Sequence, residues 1–322
     1  MKPIKVLALL WLILATTTAD AQSLLDLTFD NDDDATGLEQ TAEGVTWGTV
    51  RDQSCLIVND KVATQQFKPI AVQPLTKYIL TLSAAVDGTD TIETNDRIAE
   101  IASRNQGRSF AACELEFFSS SGGKTTFLLN ETTPMDTSGI NIVSREFRDY
   151  VHVFYSPPNA DRLHLSLAPR MQKLFVNSLT LEQETMEGTV NCNPDFRYGE
   201  FNTGGWYPNS EGRLFLSPDN HTVMKCGSDS RSSFFAVDAE SRYSFLCQGS
   251  GYDSKDGKVI VTFYDEVGNA LGYTHLFWDR DMQEGATKTG IKPIPGSKLA
   301  MLQPSRIILE KVMVTQDGPS SP

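Results

Sequence analysis

The chain has 322 residues, with 41 acidic and 28 basic side chains and a formal charge of −13 at pH 7. A surface of that sign repels phosphate backbones, which excludes nucleic acid as the expected partner, and the length suits two domains of ordinary size. Five cysteines, none of them in a C-x-x-C pair, and four scattered histidines (His152, His164, His221 and His275) provide no structural-zinc spacing.

In chain order, residues 1–21 read as a secretory leader: Lys2 and Lys5, the apolar run Val6 to Ala15, then Ala19-Asp20-Ala21 as a small-residue cleavage site. That run is shorter than the ~20 residues a bilayer span needs, and no second long one follows. The expectation is a secreted or periplasmic chain without membrane insertion. Next, Asp30-Asn31-Asp32-Asp33-Asp34 sets Asp30, Asp32 and Asp34 at the alternate positions that open a calcium loop, but Ala35 stands where such a loop wants Gly and Thr41 where it wants the bidentate Glu. The run reads either as a solvated acidic turn or as an irregular structural calcium site; no other cofactor is expected.

From Leu24 onward the pattern is strand, turn, strand. Lys77 to Ser83 and Arg162 to Leu167 alternate apolar and polar residues, and Glu114 to Phe118 is a strand closed by a turn at Ser119 to Gly123, with Thr125 to Leu129 returning. Asp96 to Gln106 reads as a short helix or a loop. The stretch Asn193 to Trp206 then opens the chain's second half: an aromatic residue, a polar loop and a Gly204-Gly205-Trp206 corner that drops an indole onto a core or a ligand face. Phe29 with Thr36-Gly37 precedes it in the same grammar.

Landmarks recur in order after that corner: Tyr243 with Tyr78, Lys258 to Tyr264 with the Glu114 strand, Pro293 to Leu299 with Pro157 to Leu163, and Arg306 to Val314 with Lys173 to Leu181. Internal duplication predicts two all-β sandwich modules, at 22–183 and 192–316, joined by a linker at 184–191 and followed by a disordered tail at 317–322. Of the cysteines, Cys226 and Cys247 fall near neighbouring predicted strands and form the first pairing to test, although spacing alone fixes no connectivity.

These landmarks together resemble the carbohydrate-binding modules of the galactose-binding-like jelly-roll group: Asn193, Phe196, Gly205 and Trp206 at the opening corner, Tyr78 and Tyr243 on an alternating strand, Phe117 and Phe263 on the next. The acidic pair that often closes members of that group is absent here, where Val176 to Leu181 and Leu309 to Val314 stand. The resemblance implies tandem galactose-binding-like jelly rolls and a polysaccharide or glycan partner.

Sugar rings present flat C–H faces, so a site for them needs exposed aromatics beside hydrogen-bonding groups. The residues that fit are Trp206, Tyr207, Tyr252, Tyr273, His275, Trp278 and Arg280 in the second half, with Trp47 and Tyr155 in the first. On a regular strand Tyr273, His275 and Phe277 share one face while Thr274, Leu276 and Trp278 share the other. The expected function is non-catalytic glycan binding, with avidity if both modules reach one polymer. Two alternatives remain at this point: a structural or adhesion protein that binds protein partners at a cell surface, and a polysaccharide lyase or glycoside hydrolase using Glu114 and Glu116, which lie on one strand face. The laminarinase-like pattern fails at Ser119, and neither G-x-S-x-G nor H-E-x-x-H occurs.

Overall fold

The structure, a computed structural model, describes residues 22–30, 36–87, 111–120, 128–129, 133–134, 140–170, 172–184, 188–199, 202, 204–207, 212–251, 257–278 and 285–317. The leader-like start, Asp32, Asp34, Tyr252, Arg280, the 96–106 segment and residues 318–322 lie outside these.

The described first half carries β1 (Gln22–Thr28), β2 (Val45–Val50), β3 (Gln53–Val58), β4 (Gln65–Gln66), β5 (Ile70–Ala71), β6 (Lys77–Val86), β7 (Ala111–Phe118), β8 (Leu128–Leu129), β9 (Thr133–Pro134), β10 (Ile140–Ile142), β11 (Arg148–Tyr155), β12 (Arg162–Ala168) and β13 (Leu174–Gln183). The second carries β14 (Trp206–Tyr207), β15 (Arg213–Leu216), β16 (Thr222–Cys226), β17 (Arg231–Ser232), β18 (Phe234–Ala236), β19 (Tyr243–Gly251), β20 (Lys258–Tyr264), β21 (Ala270–Trp278), β22 (Ala286–Ile291), β23 (Leu299–Ser305) and β24 (Ile307–Gln316).

Each half is a sandwich of two antiparallel sheets. The first stacks β2-β3-β13-β6-β11, with β1 on β13, against β4-β12-β7-β10, with β5 on β12; the second stacks β15-β16-β24-β19-β22 against β18-β23-β20-β21. β1 and β5 apart, the two orders coincide strand for strand, so the duplication read from the landmarks is a duplication of topology. Period-two alternation builds both cores. In β6 every second residue from Tyr78 to Val86 points inward, to meet Leu115, Phe117, Leu163 and Leu165 of the facing sheet. In the second module Phe245 and Val312 meet Val261, Phe263 and Leu302 in the same way. A finer match supports the repeat: Tyr78 Oη accepts a hydrogen bond from Gln73 N, and Tyr243 Oη accepts one from Asp238 N, each five residues upstream.

The five cysteines are buried free thiols. The Cys226–Cys247 pairing is not formed, for a geometric reason: β16 and β19 both pair with β24 from opposite sides. That spaces their backbones about 9–10 Å apart, beyond the ~7 Å reach of a disulfide.

The two sandwiches touch. Val151, Val153 and Ile79, on the outward side of β11 and β6, join the second module's core cluster with Cys192, Phe196 and Trp206. The Asn202 side chain accepts from Val151 N at 2.9 Å and donates to Asp149 O at 3.2 Å, so its amide covers the open edge of β11 as a neighbouring strand would. Gly205, at φ +95°, lies so close to that edge that a Cβ would come within 2.5 Å of Val153 O, which is why this corner needs glycine. Within the stretch read as a linker, Val190 N donates to Val314 O, Asn191 exchanges bonds with Val312 and Val314, and buried Lys77 pairs with Glu184 at 2.6 Å. These residues are strapped to both modules.

Candidate functional site

Among the described residues, the exposed aromatic side chains of the second module gather on the edge strand β21. Tyr273 and Trp278 are 63% and 42% exposed, and His275 is exposed between them. Simple alternation would send Trp278 to the face opposite Tyr273 and His275. A β-bulge overrides it: Phe277 pairs with Val259 and His275 with Ile260, so Leu276 is an extra residue, and both Leu276 and Phe277 enter the core. The extra residue turns Trp278 back to the outer side. There His275 stacks on Trp278 at 5.1 Å between centroids, with 11° between planes, and meets Tyr273 edge-on at 5.5 Å. The three rings form one strip.

Beside the strip, the outer face of the same sheet supplies polar groups. Register places Lys258, Ile260 and Thr262 of β20 opposite Trp278, His275 and Tyr273, and Ser305, Gln303 and Met301 of β23 beyond them. Thr262 Oγ1 and Gln303 Oε1 are 2.7 Å apart in a hydrogen bond that the hydroxyl donates. Burial pushes the Tyr264 hydroxyl up from its ordinary range, while Thr262 and Arg231 draw it back, so it remains a neutral donor near pH 7. Arg231 also lies over the Tyr207 ring, 5.6 Å from its centroid. Aromatic surface, an amide and hydroxyls therefore share one sheet face, and the guanidinium of Arg231 stands on the separate strand β17.

Other sequence-predicted residues are placed elsewhere. Trp206 is fully buried, its indole N–H shared between Cys192 O at 3.1 Å and Asn193 O at 2.9 Å, and its ring packs on Phe196; it is a core residue, because a two-ring side chain at a corner between two modules gains most by burial. Tyr155 is likewise buried and donates its hydroxyl to Val190 O, which makes it a clamp between modules and removes it from any ligand face. Trp47 is half-buried against the first module's core. Tyr207 is half-buried at the margin of the polar patch, with its hydroxyl 3.5 Å from Ser233 Oγ. Asp30 is exposed at the end of β1, and no group of three or more potential metal ligands occurs among the described residues.

Sequence reading missed Thr262, Tyr264, Gln303 and Arg231. Thr262 and Tyr264 sit on the strand read at Lys258 to Tyr264, and the signal for them was parity with the exposed rings, visible once register is known; Gln303 and Arg231 lie on strands the sequence did not announce, β17 being two residues long.

The topologically equivalent face of the first module is different in kind. Its edge strand β10 is three residues long. On β7 and β12, Phe118 and His164 pack at 4.4 Å, Glu116 stands opposite His164, and Glu114 pairs with Arg170 at 2.9 Å.

Solved structures similar to this chain include the N-terminal CBM22-1-CBM22-2 tandem domain of Paenibacillus barcinonensis Xyn10C, at 12% identity and a TM-score of 0.34, over 92% of this chain and 98% of that one. The CBM22-1-GH10 modules of Clostridium thermocellum endo-1,4-β-D-xylanase 10B, solved with xylohexaose, match at 12% identity and a TM-score of 0.34, over 51% of this chain and 29% of that one. The enzymatically active domain of bacteriophage CBA120 tailspike protein 4 matches at 12% identity and a TM-score of 0.31, over 49% of this chain and 20% of that one. No protein-family profile matches the chain, and no curated protein does.

Proposed function

We propose that this protein binds a neutral polysaccharide or glycan on the outer face of the second module and performs no bond chemistry on it. The observation that carries the reading is the bulged strip Tyr273, His275 and Trp278, which sets three rings in a line beside the half-buried Gln303 and Arg231. C–H faces of successive sugar rings would stack on the strip, and their hydroxyls would bond to the polar patch, a division of labour that suits a flat amphiphilic chain. A non-catalytic role is supported by Glu114, one of the two carboxylates on that strand face, being engaged with Arg170. The leader-like start supports export to a compartment where polysaccharide is met.

Affinity electrophoresis of the full chain in gels containing xylan, mixed-linkage β-glucan or galactomannan tests the proposal. Retardation by at least one of them, abolished in a Tyr273→Ala/Trp278→Ala variant that still folds, is the expected result. Release of reducing ends or unsaturated products from any of the three would overturn the non-catalytic reading, and indifference to every glycan on a broad array would overturn the binding reading.

A further inference from the structure

The outer face of a lone sandwich is solvated, yet four apolar residues on this one are buried. Phe234, Tyr264, Leu299 and Met301 form a cluster separate from the second module's core, and the residue packed against it is Leu75, from the first module. Leu75 belongs to the turn between β5 and β6 and sits at φ +52°, a left-handed conformation that a branched side chain rarely adopts. Such outliers persist where the surroundings over-determine them. Here they do: Ser156 Oγ accepts from Thr76 N and donates to Gln73 O, Ser156 N donates to Thr76 O, and Tyr78 Oη holds Gln73 N.

The duplication supplies an internal control. Val72-Gln73-Pro74-Leu75-Thr76-Lys77-Tyr78 and Val237-Asp238-Ala239-Glu240-Ser241-Arg242-Tyr243 occupy the same turn in the two modules, with buried Val and Tyr at both ends. In the second module the residue equivalent to Leu75 is Glu240, 83% exposed and paired at 3.4 Å with Lys292. The common turn thus requires neither an apolar residue nor a left-handed one. What is peculiar to the first copy is the surface that Leu75 touches.

We infer that the ligand face is a composite of both modules, with the turn 73–76 of the first forming the wall that faces the Tyr273–Trp278 strip. This rests on the glycan-binding reading and adds a shape to it. Met301, a member of the cluster that Leu75 packs against, pairs in register with Thr262, which pairs with Tyr273. Wall and strip therefore stand about two strand spacings apart, roughly 9–10 Å, with Ile260 and Thr262 of β20 on the floor between them and Gln303 on the wall's side of it. A space of that width takes one extended chain lying along β20 and β21, and excludes a paired or crystalline sheet of chains.

The test uses the full-length protein and three forms of it: wild type, Leu75→Gly, which removes the wall and suits the left-handed turn, and Leu75→Glu, which installs the second copy's residue. Affinity for a soluble polysaccharide that retards the wild type, and for a hexasaccharide cut from it, is measured by titration calorimetry alongside thermal melting. The expected result is binding about fivefold to tenfold weaker in Leu75→Gly, a loss set by the apolar contact removed, with a melting midpoint within a few degrees of wild type. Leu75→Glu is expected to lose more. Should Leu75→Glu fail to fold, Leu75→Gly decides the matter. Wild-type binding with unchanged affinity in the folded Leu75 variants would overturn the composite site and leave the glycan reading standing, whereas a wild type indifferent to every glycan overturns both.

Discussion

Removing the two end rings of the strip is the most direct test of how this face works. Trp278 and Tyr273 are 42% and 63% exposed. For side chains offering about 200–250 Å² in all, roughly 100 Å² of indole and about 130 Å² of phenol are open. A sugar that covers half of each removes about 50–65 Å² of apolar surface from water per ring, worth about 1.3–1.6 kcal/mol at ~25 cal/mol per Å². Trp278→Ala and Tyr273→Ala should therefore each weaken binding by about tenfold. Both rings pack on His275, so their effects are coupled, and the double variant should lose more than either single one but less than about a hundredfold. Neither substitution reaches the core, and stability should hold within about 0.5 kcal/mol. Titration calorimetry with a soluble glycan, run beside thermal melting, measures both quantities. A double variant that binds like wild type would refute the reasoning, as would a binding loss that merely tracks a fall in melting temperature.

Other regions give further expectations. The five thiols should be inert to a thiol reagent in the native state and titrate fully in denaturant, because burial pushes Cys113, Cys192 and Cys247 up to about 12 and raises Cys55 and Cys226 as well; reducing agent should leave the melting midpoint unchanged. Trp206→Ala should cost about 3–5 kcal/mol of stability as a core truncation, and Trp206→Phe less, with the bonds to Cys192 O and Asn193 O lost; chemical denaturation reads both. Glu184→Ala should destabilise by about 2–3 kcal/mol by stranding buried Lys77, discounted because Glu184 is 31% exposed, whereas Lys77→Met should be close to neutral. Backbone Glu240 N and the Ser241 hydroxyl hold Asp238 below its ordinary 3.8, and Arg197 does the same for Asp195 against the opposing effect of burial. A depressed carboxylate contributes stability that is complete above its unfolded value and lost as pH falls through the folded one, so an Asp195→Asn/Asp238→Asn variant should show a shallower loss of stability below pH 4.

Much of the architecture was legible because period-two alternation and repeated landmarks are local properties of the chain. Tyr78 and Tyr243, Phe117 and Phe263, and the closing strands Leu174–Gln183 and Ile307–Gln316 all take equivalent places in the two sandwiches. The aromatic strip was legible in its residue types, while its geometry departs from simple alternation. One extra residue, Leu276, decides whether Trp278 joins Tyr273 and His275, and a bulge has no signature in composition. Trp206 and Tyr155 misled for a different reason: an aromatic residue with a polar handle suits a ligand face and a module interface equally, and what separates the two is the partner of the handle, here Cys192 O, Asn193 O and Val190 O.

Duplication at first suggests two like sites and a gain from avidity. The two outer faces argue against that arrangement. Among the described residues, where the second module has the nine-residue edge strand β21, the first has the three-residue β10, and where the second lines its face with Tyr273, His275 and Trp278, the first pairs Phe118 with His164 beside Glu116 and a Glu114–Arg170 ion pair. Meanwhile the first module's β11 edge, its Lys77 and its left-handed Leu75 are turned toward the second module, which has no counterpart use for the matching residues Arg242 and Glu240. The copies kept their cores and divided their surfaces. On the composite-face proposal, affinity should depend on how firmly the modules are held together: Asn202→Ala, which uncovers the β11 edge without touching the strip, should weaken glycan binding in the full chain along with stability, while lengthening the polysaccharide beyond one face should give no further gain.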